Sequence, residues 1–247
     1  MSKHLLRLLA RRAAGAICIS RFVDDDLARV APRLRQWVVL NGIDTNHFSP
    51  GEADPAFPLP ADPTRLRVGL IATYARWKGQ DLFLRALAAA LQGGANVHEY
   101  IIGGPIYATA GSQWTREELI VMTRELGIAE RVTFEPFASD PVRVYRSLDV
   151  VVHASAAPEP FGRTIAEALA CGKRVLAPAE GGPLEQIEDG VSGVLYRPRD
   201  VASLASAITA ATHTGQDPTT ASAAARERLD RRRMAEELRR VYGEVGA

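Results

Sequence analysis

Residues 149–177 read DVVVHASAAPEPFGRTIAEALACGKRVLA, and this stretch decides the fold. Asp149–Val152 is a short β-branched run ending at His153, and Lys173–Ala177 is a second. Between them Phe161–Cys171 carries apolar residues at helical spacing, with Cys171 in the last turn before Gly172. Apolar runs this continuous suit strands covered on both faces, the setting of a parallel sheet. Strand, helix and strand in that order make a βαβ unit.

The alternation continues in both directions. Gly15–Ile19, Gln36–Leu40, Leu66–Ala72, Val97–Ile102, Arg131–Phe134 and Gly193–Leu195 read as further strands. Ser2–Ala13, Phe22–Val30, Gly79–Leu91, Gln113–Leu126 and Val201–Ala211 read as helices. The pattern predicts an α/β fold built on a doubly wound parallel sheet. Ligands of such sheets sit beyond the carboxyl ends of the strands, so the residues just after each run are the first candidates. Asn41–Thr64 breaks the rhythm: NGIDTNHFSPGEADPAFPLPADPT is rich in Pro, Asp and Gly and reads as a linker. The expected organisation is a short segment over 1–40, a linker over 41–64, a compact domain over 65–215 and a C-terminal helix over 216–247. On that helix Leu229, Met234, Leu238 and Val241 share a face.

Composition narrows the class. The 247 residues are 47% apolar and 24% charged, ordinary for a globular chain. Lys+Arg 30 against Asp+Glu 29 gives a net charge of +1, so nothing points to nucleic acid as a partner. The two cysteines, Cys18 and Cys171, lie in or beside apolar runs; a disulfide framework is not expected, and a reducing, cytoplasmic setting fits. No run approaches the ~18 apolar residues of a membrane span. MSKHLLRLLARRAAGA is Arg-rich and acid-free, but Arg7, Arg11 and Arg12 interrupt any apolar core. It reads as an amphipathic surface helix rather than a secretory signal, and an organellar presequence fits the same composition.

Chemistry concentrates in two loops. Past His153, a loop with prolines leads to a helix beginning near Phe161–Gly162, whose first N–H groups lack intrahelical partners. With the helix dipole they suit an anion such as a phosphate. Glu159 precedes that helix and Glu167 lies within it. Two carboxylates beside an anion site make sense for a ligand that also carries hydroxyls, as a nucleotide sugar does. The spacing equally fits one capping and one surface glutamate. Arg76 and Lys78 follow the strand RVGLIA, where cations can hold phosphates, although a basic loop alone is more often simply solvated. His153 suits a buried structural role or a donor contact. Asp24–Asp26 fit a helix start better than a metal site, and His4, His47, His98 and His213 show no ligand spacing. Gly103–Gly104 is no GxGxxG, and Gly181–Gly182 reads as a turn. The arginines over 226–240 read as a solvated helix face, with a membrane-surface role the minority option.

Taken together, PEPFGRTIAEALACGKRVLA and the following GGPLEQIEDGVSG resemble the donor-binding half of retaining GT-B glycosyltransferases of family 4, the glycosyl transferases group 1. Glu159-x7-Glu167 matches the paired glutamates of that family, and NGIDTNHFSP, WKGQDLFLRAL, IIGGPIYAT, LGIAERVTF and RSLDVVVHAS follow in family order. The resemblance implies one Rossmann-like GT-B half that transfers a hexose, with retention, from a nucleotide-diphospho-sugar to a hydroxyl of an acceptor saccharide, lipid or small molecule. It implies no metal and no cofactor beyond the sugar nucleotide itself. By position, Glu159 faces the sugar hydroxyls, Glu167 the ribose, and the amides of Phe161, Gly162, Arg163 and Thr164 the diphosphate. Lys78 neutralises the leaving group, the backbone up to Phe137 meets the base, and His153 and Thr73 border the donor.

The chain departs from the family in three places. Ala72–Thr73 stands where the family has Gly-Arg, leaving Arg76 to replace the missing guanidinium. Pro136 stands where a glycine is usual and removes a backbone donor. LLARRAAGAICISRFVDDDL matches the tail of a first, acceptor-binding domain, so residues 1–40 are expected to be its remnant, with a separate chain as one source of the rest. A module that binds nucleotide sugar or a partner without catalysis is the competing expectation.

Overall fold

The computed structural model describes residues 11–246 except 59, 61, 107, 108, 110 and 213–217. Strands β1 (Ala16–Cys18) and β2 (Gln36–Val38) flank helix α1 (Arg21–Val30) and pair in parallel as a small sheet of their own. There follow β3 (Leu66–Ile71), α2 (Gln80–Gln92), β4 (Val97–Ile102), α3 (Arg116–Glu125), β5 (Val132–Glu135) and α4 (Pro141–Ser147). Next come β6 (Val150–Val152), α5 (Arg163–Ala170), β7 (Arg174–Pro178), α6 (Pro183–Gln186), β8 (Gly193–Tyr196) and α7 (Val201–Ala211). Helices α8 (Pro218–Arg228) and α9 (Arg231–Gly246) come last.

The main sheet has six parallel strands in the order β5-β4-β3-β6-β7-β8. From β3 the chain steps outward through β4 to β5, then returns to place β6 on the other side of β3. Helices α2, α3 and α7 cover one face, where Phe83, Leu84, Leu87, Leu119, Leu204 and Ile208 pack on Val68, Val97 and Ile101. Helices α4, α5 and α8 cover the other, where Tyr145, Ile165, Leu169 and Ala225 pack with Tyr100, Ile102 and Val151. Alternate residues of β4 thus feed opposite cores, and the expected doubly wound α/β sheet is the observed one.

Several boundaries move for local reasons. The expected helix Ser2–Ala13 falls largely on residues outside the described set, and residues 11 and 12 form a turn. The helix expected from Gln113 begins at Arg116, because Thr115 and Glu118 form a capping box there. Helix α4 escaped the periodicity reading, yet Asp140 caps it and Pro141 occupies its first turn. The helix expected over 216–247 is corrected to two. They break at Leu229–Asp230, where the Ile43 amide donates to the Leu229 carbonyl at 2.8 Å and the Arg231 amide donates to the Ile43 carbonyl at 2.9 Å. Hydrogen bonds from Arg232, and then from Thr45, hold the Asp230 carboxyl far below the usual carboxylate range.

The linker is therefore not loose. Ile43 and Phe48 are buried on the sheet with Phe57 against them, and the Tyr100 hydroxyl donates to the Pro58 carbonyl at 2.8 Å. Of the residues expected to share one helix face, Leu229 and Val241 are buried while Met234 and Leu238 are half-buried. Four of the α9 arginines pair within the chain: Arg231 with Asp44, Arg232 with Asp230, Arg233 with Glu237 and Arg240 with Glu244. Among the described residues no helix is long and apolar enough to cross a membrane.

Glu99 is the anomaly of the core. It lies in β4 in register with Val68 and Val132, fully buried, and neither carboxylate oxygen has a hydrogen-bond partner among the described residues. Burial alone pushes its carboxyl well above the usual range. In the unfolded chain it ionises near ~4.3. Stability therefore falls as pH rises from about 4.3 toward the folded value, because unfolding releases a proton there. Glu99→Met should raise stability by about 2 kcal/mol near neutral pH. The gain should shrink toward about pH 4.5; urea unfolding at the two pH values measures it, and a pH-independent gain would contradict this account.

Candidate functional site

Strand order reverses between β3 and β6, and a doubly wound sheet opens a crevice at the carboxyl ends of such a pair. A cleft of about 370 Å³ lies there, lined by Leu70–Thr73 at the end of β3 and Val152–Ala154 at the end of β6. Lys78, Thr164, Glu167, Tyr145, Phe137, Ala138 and Pro141 complete its wall.

The loops after β3 and β6 are bound to one another. Gly79 has φ +75°, and a Cβ on it would lie 1.9 Å from the Ala154 carbonyl oxygen, so only glycine fits. The Ala156 amide and the Ser155 hydroxyl donate to the Trp77 carbonyl at 2.8 and 3.1 Å. Lys78 is thereby carried to Glu159, with Nζ to Oε2 at 3.0 Å, and both side chains are largely shielded. His153 Nε2 lies 3.6 Å from the same carboxylate oxygen and Nδ1 lies 3.5 Å from the Thr164 hydroxyl. Burial, with Lys78 adding to it, outweighs the pull of Glu159 and holds His153 well below the usual imidazole range, so the ring is neutral near pH 7.

Helix α5 begins after Gly162, whose φ of +91° turns the chain into it. The first turn-closing donor is the Ile165 amide, on the Gly162 carbonyl at 3.0 Å, so the amides ahead of it are the helix's unsatisfied donors. Phe161 is buried in the core and does not line the cleft. Arg163 is exposed and reaches back to Glu167 at 3.3 Å. Thr73 turns its buried hydroxyl toward no hydrogen-bond partner among the described residues, while its carbonyl accepts from Gln80 Nε2 at 2.7 Å.

Arg76 departs from expectation. Its guanidinium stacks on the Trp114 ring, 3.7 Å from the centroid, and pairs with Glu118 at 3.3 Å. It does not line the cleft, so it does not stand in here for the arginine replaced at Thr73; among the described lining residues Lys78 is the cation. Phe137, half exposed, stands at the cleft wall. Two contributors were missed. Tyr145 on α4 donates to Glu167 Oε2 at 2.7 Å, and Gln186 on α6 donates to the Phe161 carbonyl. The Asp140-Pro141 pair, a helix-start signal, could have led to Tyr145.

Glu167 is mostly buried, and burial raises its carboxyl above the usual value against the opposing pulls of Tyr145 and Arg163. Tyr145→Phe should therefore raise the Glu167 pKa further and cost about 1–2 kcal/mol of stability. Carbon-13 NMR titration of the Glu167 carboxyl reads the first effect, and an unchanged or lowered value would contradict the assignment.

Residues 56–228 match the family described as glycosyl transferases group 1. Over 184 residues, 72% of this chain, it is 40% identical to the D-inositol 3-phosphate glycosyltransferase of Mycolicibacterium smegmatis, covering 40% of that protein. A protein of the same name from Mycobacterium sp. strain KMS is 37% identical over 174 residues, 69% of this chain and 38% of its own length. The chain thus spans about two-fifths of the length of these curated relatives. The crystal structure of HepE from Anabaena in complex with UDP superposes with a TM-score of 0.86 at 28% identity, covering 99% of this chain and 68% of that one. The chain belongs to the glycosyl transferases group 1 family.

Proposed function

We propose that this chain forms the nucleotide-sugar side of a retaining family 4 hexosyltransferase, working without a divalent metal, and that residues beyond this chain supply the acceptor side. The observation that carries the reading is that Lys78, Thr164 of the first α5 turn and Glu167 line one cleft at the reversal of strand order, with Glu159 held to Lys78 beside it. The names of the matched relatives and the UDP held by HepE support it.

Each role follows from charge and reach. Lys78 and the α5 amides take the charge that develops on the departing diphosphate. Glu167, held between Tyr145 and Arg163, presents an acceptor suited to ribose hydroxyls. Glu159 accepts from hydroxyls of the sugar, and neutral His153 packs beside it as a further polar contact. Transfer requires donor and acceptor to be held together, so the donor side alone binds without rapid turnover. Residues 1–40, with their separate small sheet, then belong to the acceptor side. A second reading, binding without catalysis, is favoured by Arg76 lying on Trp114 rather than beside Lys78.

Calorimetry of the chain against UDP, GDP and ADP tests the reading. One diphosphate should bind, and Lys78→Ala should weaken it about tenfold while leaving the nucleoside nearly unaffected. Equal losses for both would remove Lys78 from the phosphate. Glu159→Ala should spare diphosphate binding and abolish transfer once the acceptor side is supplied; transfer that persists would overturn the role of Glu159. A wild-type chain that binds sugar nucleotide yet never transfers, acceptor side present, would establish the second reading.

A further inference from the structure

The donor-side loop is gripped through its carbonyls. The Glu159 carbonyl accepts from the Gly182 amide at 2.8 Å, the Pro160 carbonyl from the Ser20 hydroxyl at 2.6 Å, and the Phe161 carbonyl from Gln186 Nε2. Each peptide here is trans, so its N–H points opposite to its carbonyl. Holding the carbonyls of residues 160 and 161 therefore fixes the directions of the Phe161 and Gly162 amides. The grip is close: a Cβ on Gly182 would lie 2.6 Å from the Phe161 Cα.

One of these three holds comes from the N-terminal unit. Ser20 is fully buried and caps α1, accepting from the Val23 amide at 3.1 Å. The two preceding α1 amides, Arg21 and Phe22, donate to the Glu185 carboxylate at 2.9 Å each. A carboxylate at a helix N-terminus is favoured by its dipole. Glu185 is the neighbour of Gln186 on α6, so α1 holds the loop directly through Ser20 and indirectly through α6.

We infer that Ser20 and Glu185 are positioning residues: through them the β1–α1–β2 unit aims the Phe161 and Gly162 amides at the donor diphosphate. The inference rests on the nucleotide-sugar reading of the cleft. Its consequence is a mechanical link between the N-terminal unit and donor affinity, so a displacement of α1 loosens the diphosphate site without touching the base or ribose contacts.

The test uses the full chain with Ser20→Ala and Glu185→Gln, and Ser20→Thr as the variant that keeps the hydroxyl. Amide hydrogen exchange over 159–164, measured without nucleotide on chains shown to be folded by circular dichroism, should speed up in the first two and return toward wild type in the third. Calorimetry with whichever of UDP, GDP and ADP binds wild type should show about fivefold weaker diphosphate binding in Ser20→Ala and Glu185→Gln. Binding of the matching nucleoside should stay within about twofold, and Ser20→Thr should recover the diphosphate affinity. A general loss of stability would weaken both ligands alike and would overturn the inference. Unchanged exchange and unchanged diphosphate affinity in folded variants would overturn it while leaving the donor site intact. A wild type that binds none of the three diphosphates overturns the donor reading and this role with it.

Discussion

Gly79 carries no side chain because the Ala154 carbonyl occupies the space one would take. That approach follows from the topology. Helices α2 and α5 lie on opposite faces of the sheet, so the loops leaving the adjacent strands β3 and β6 must diverge from a common edge. Where they start they crowd, and the crowding is resolved by glycine at 79 and by two hydrogen bonds onto the Trp77 carbonyl. Lys78 stands between those two anchored residues. From that fixed backbone its amino group meets Glu159 at 3.0 Å.

Charge in the cleft is managed by shielding more than by pairing. His153 is buried and neutral, and at 3.6 Å from Glu159 it contributes a polar surface without a hydrogen bond. Glu167 resists ionisation through burial, and Tyr145 and Arg163 restore part of what burial removes. A cleft with few solvated charges strengthens every interaction a ligand makes in it. The same low polarity makes an unsatisfied group expensive. The Thr73 hydroxyl, buried at the wall without a partner among the described residues, is such a group, and a ligand oxygen would satisfy it.

Much of this was legible in the chain. Runs such as VVV at β6 and YII within β4 are apolar on every residue because both faces of the sheet are covered, and that fixes a parallel, doubly wound architecture. The spacing of Glu159 and Glu167 pointed to a helix start after a strand, a local property, and Glu167 lies on the cleft wall. What escaped depended on distant contacts. No local signal says that Arg76 finds the Trp114 face and Glu118, residues beyond β4, rather than the cleft. The break at Asp230 needs Ile43 and Thr45, far away in sequence, to make an otherwise continuous helical pattern turn. Gln186 and Ser20 act on the loop across long sequence separations, and neither residue type announces such a role.

On the proposed function, the Lys78–Glu159 pair gives the cleft a preference that its contact surface alone does not. Each partner satisfies the other at 3.0 Å. In the proposed donor complex a diphosphate competes for Lys78 and repels Glu159, so the pair opens. Free phosphate or pyrophosphate compensates only the lysine and leaves a shielded carboxylate without a partner, a cost of about 1–3 kcal/mol. A diphosphate joined to a sugar compensates both, phosphate oxygens on Lys78 and hydroxyls on Glu159. On the proposed function, discrimination against the incomplete ligand then arises from the partner left unpaired.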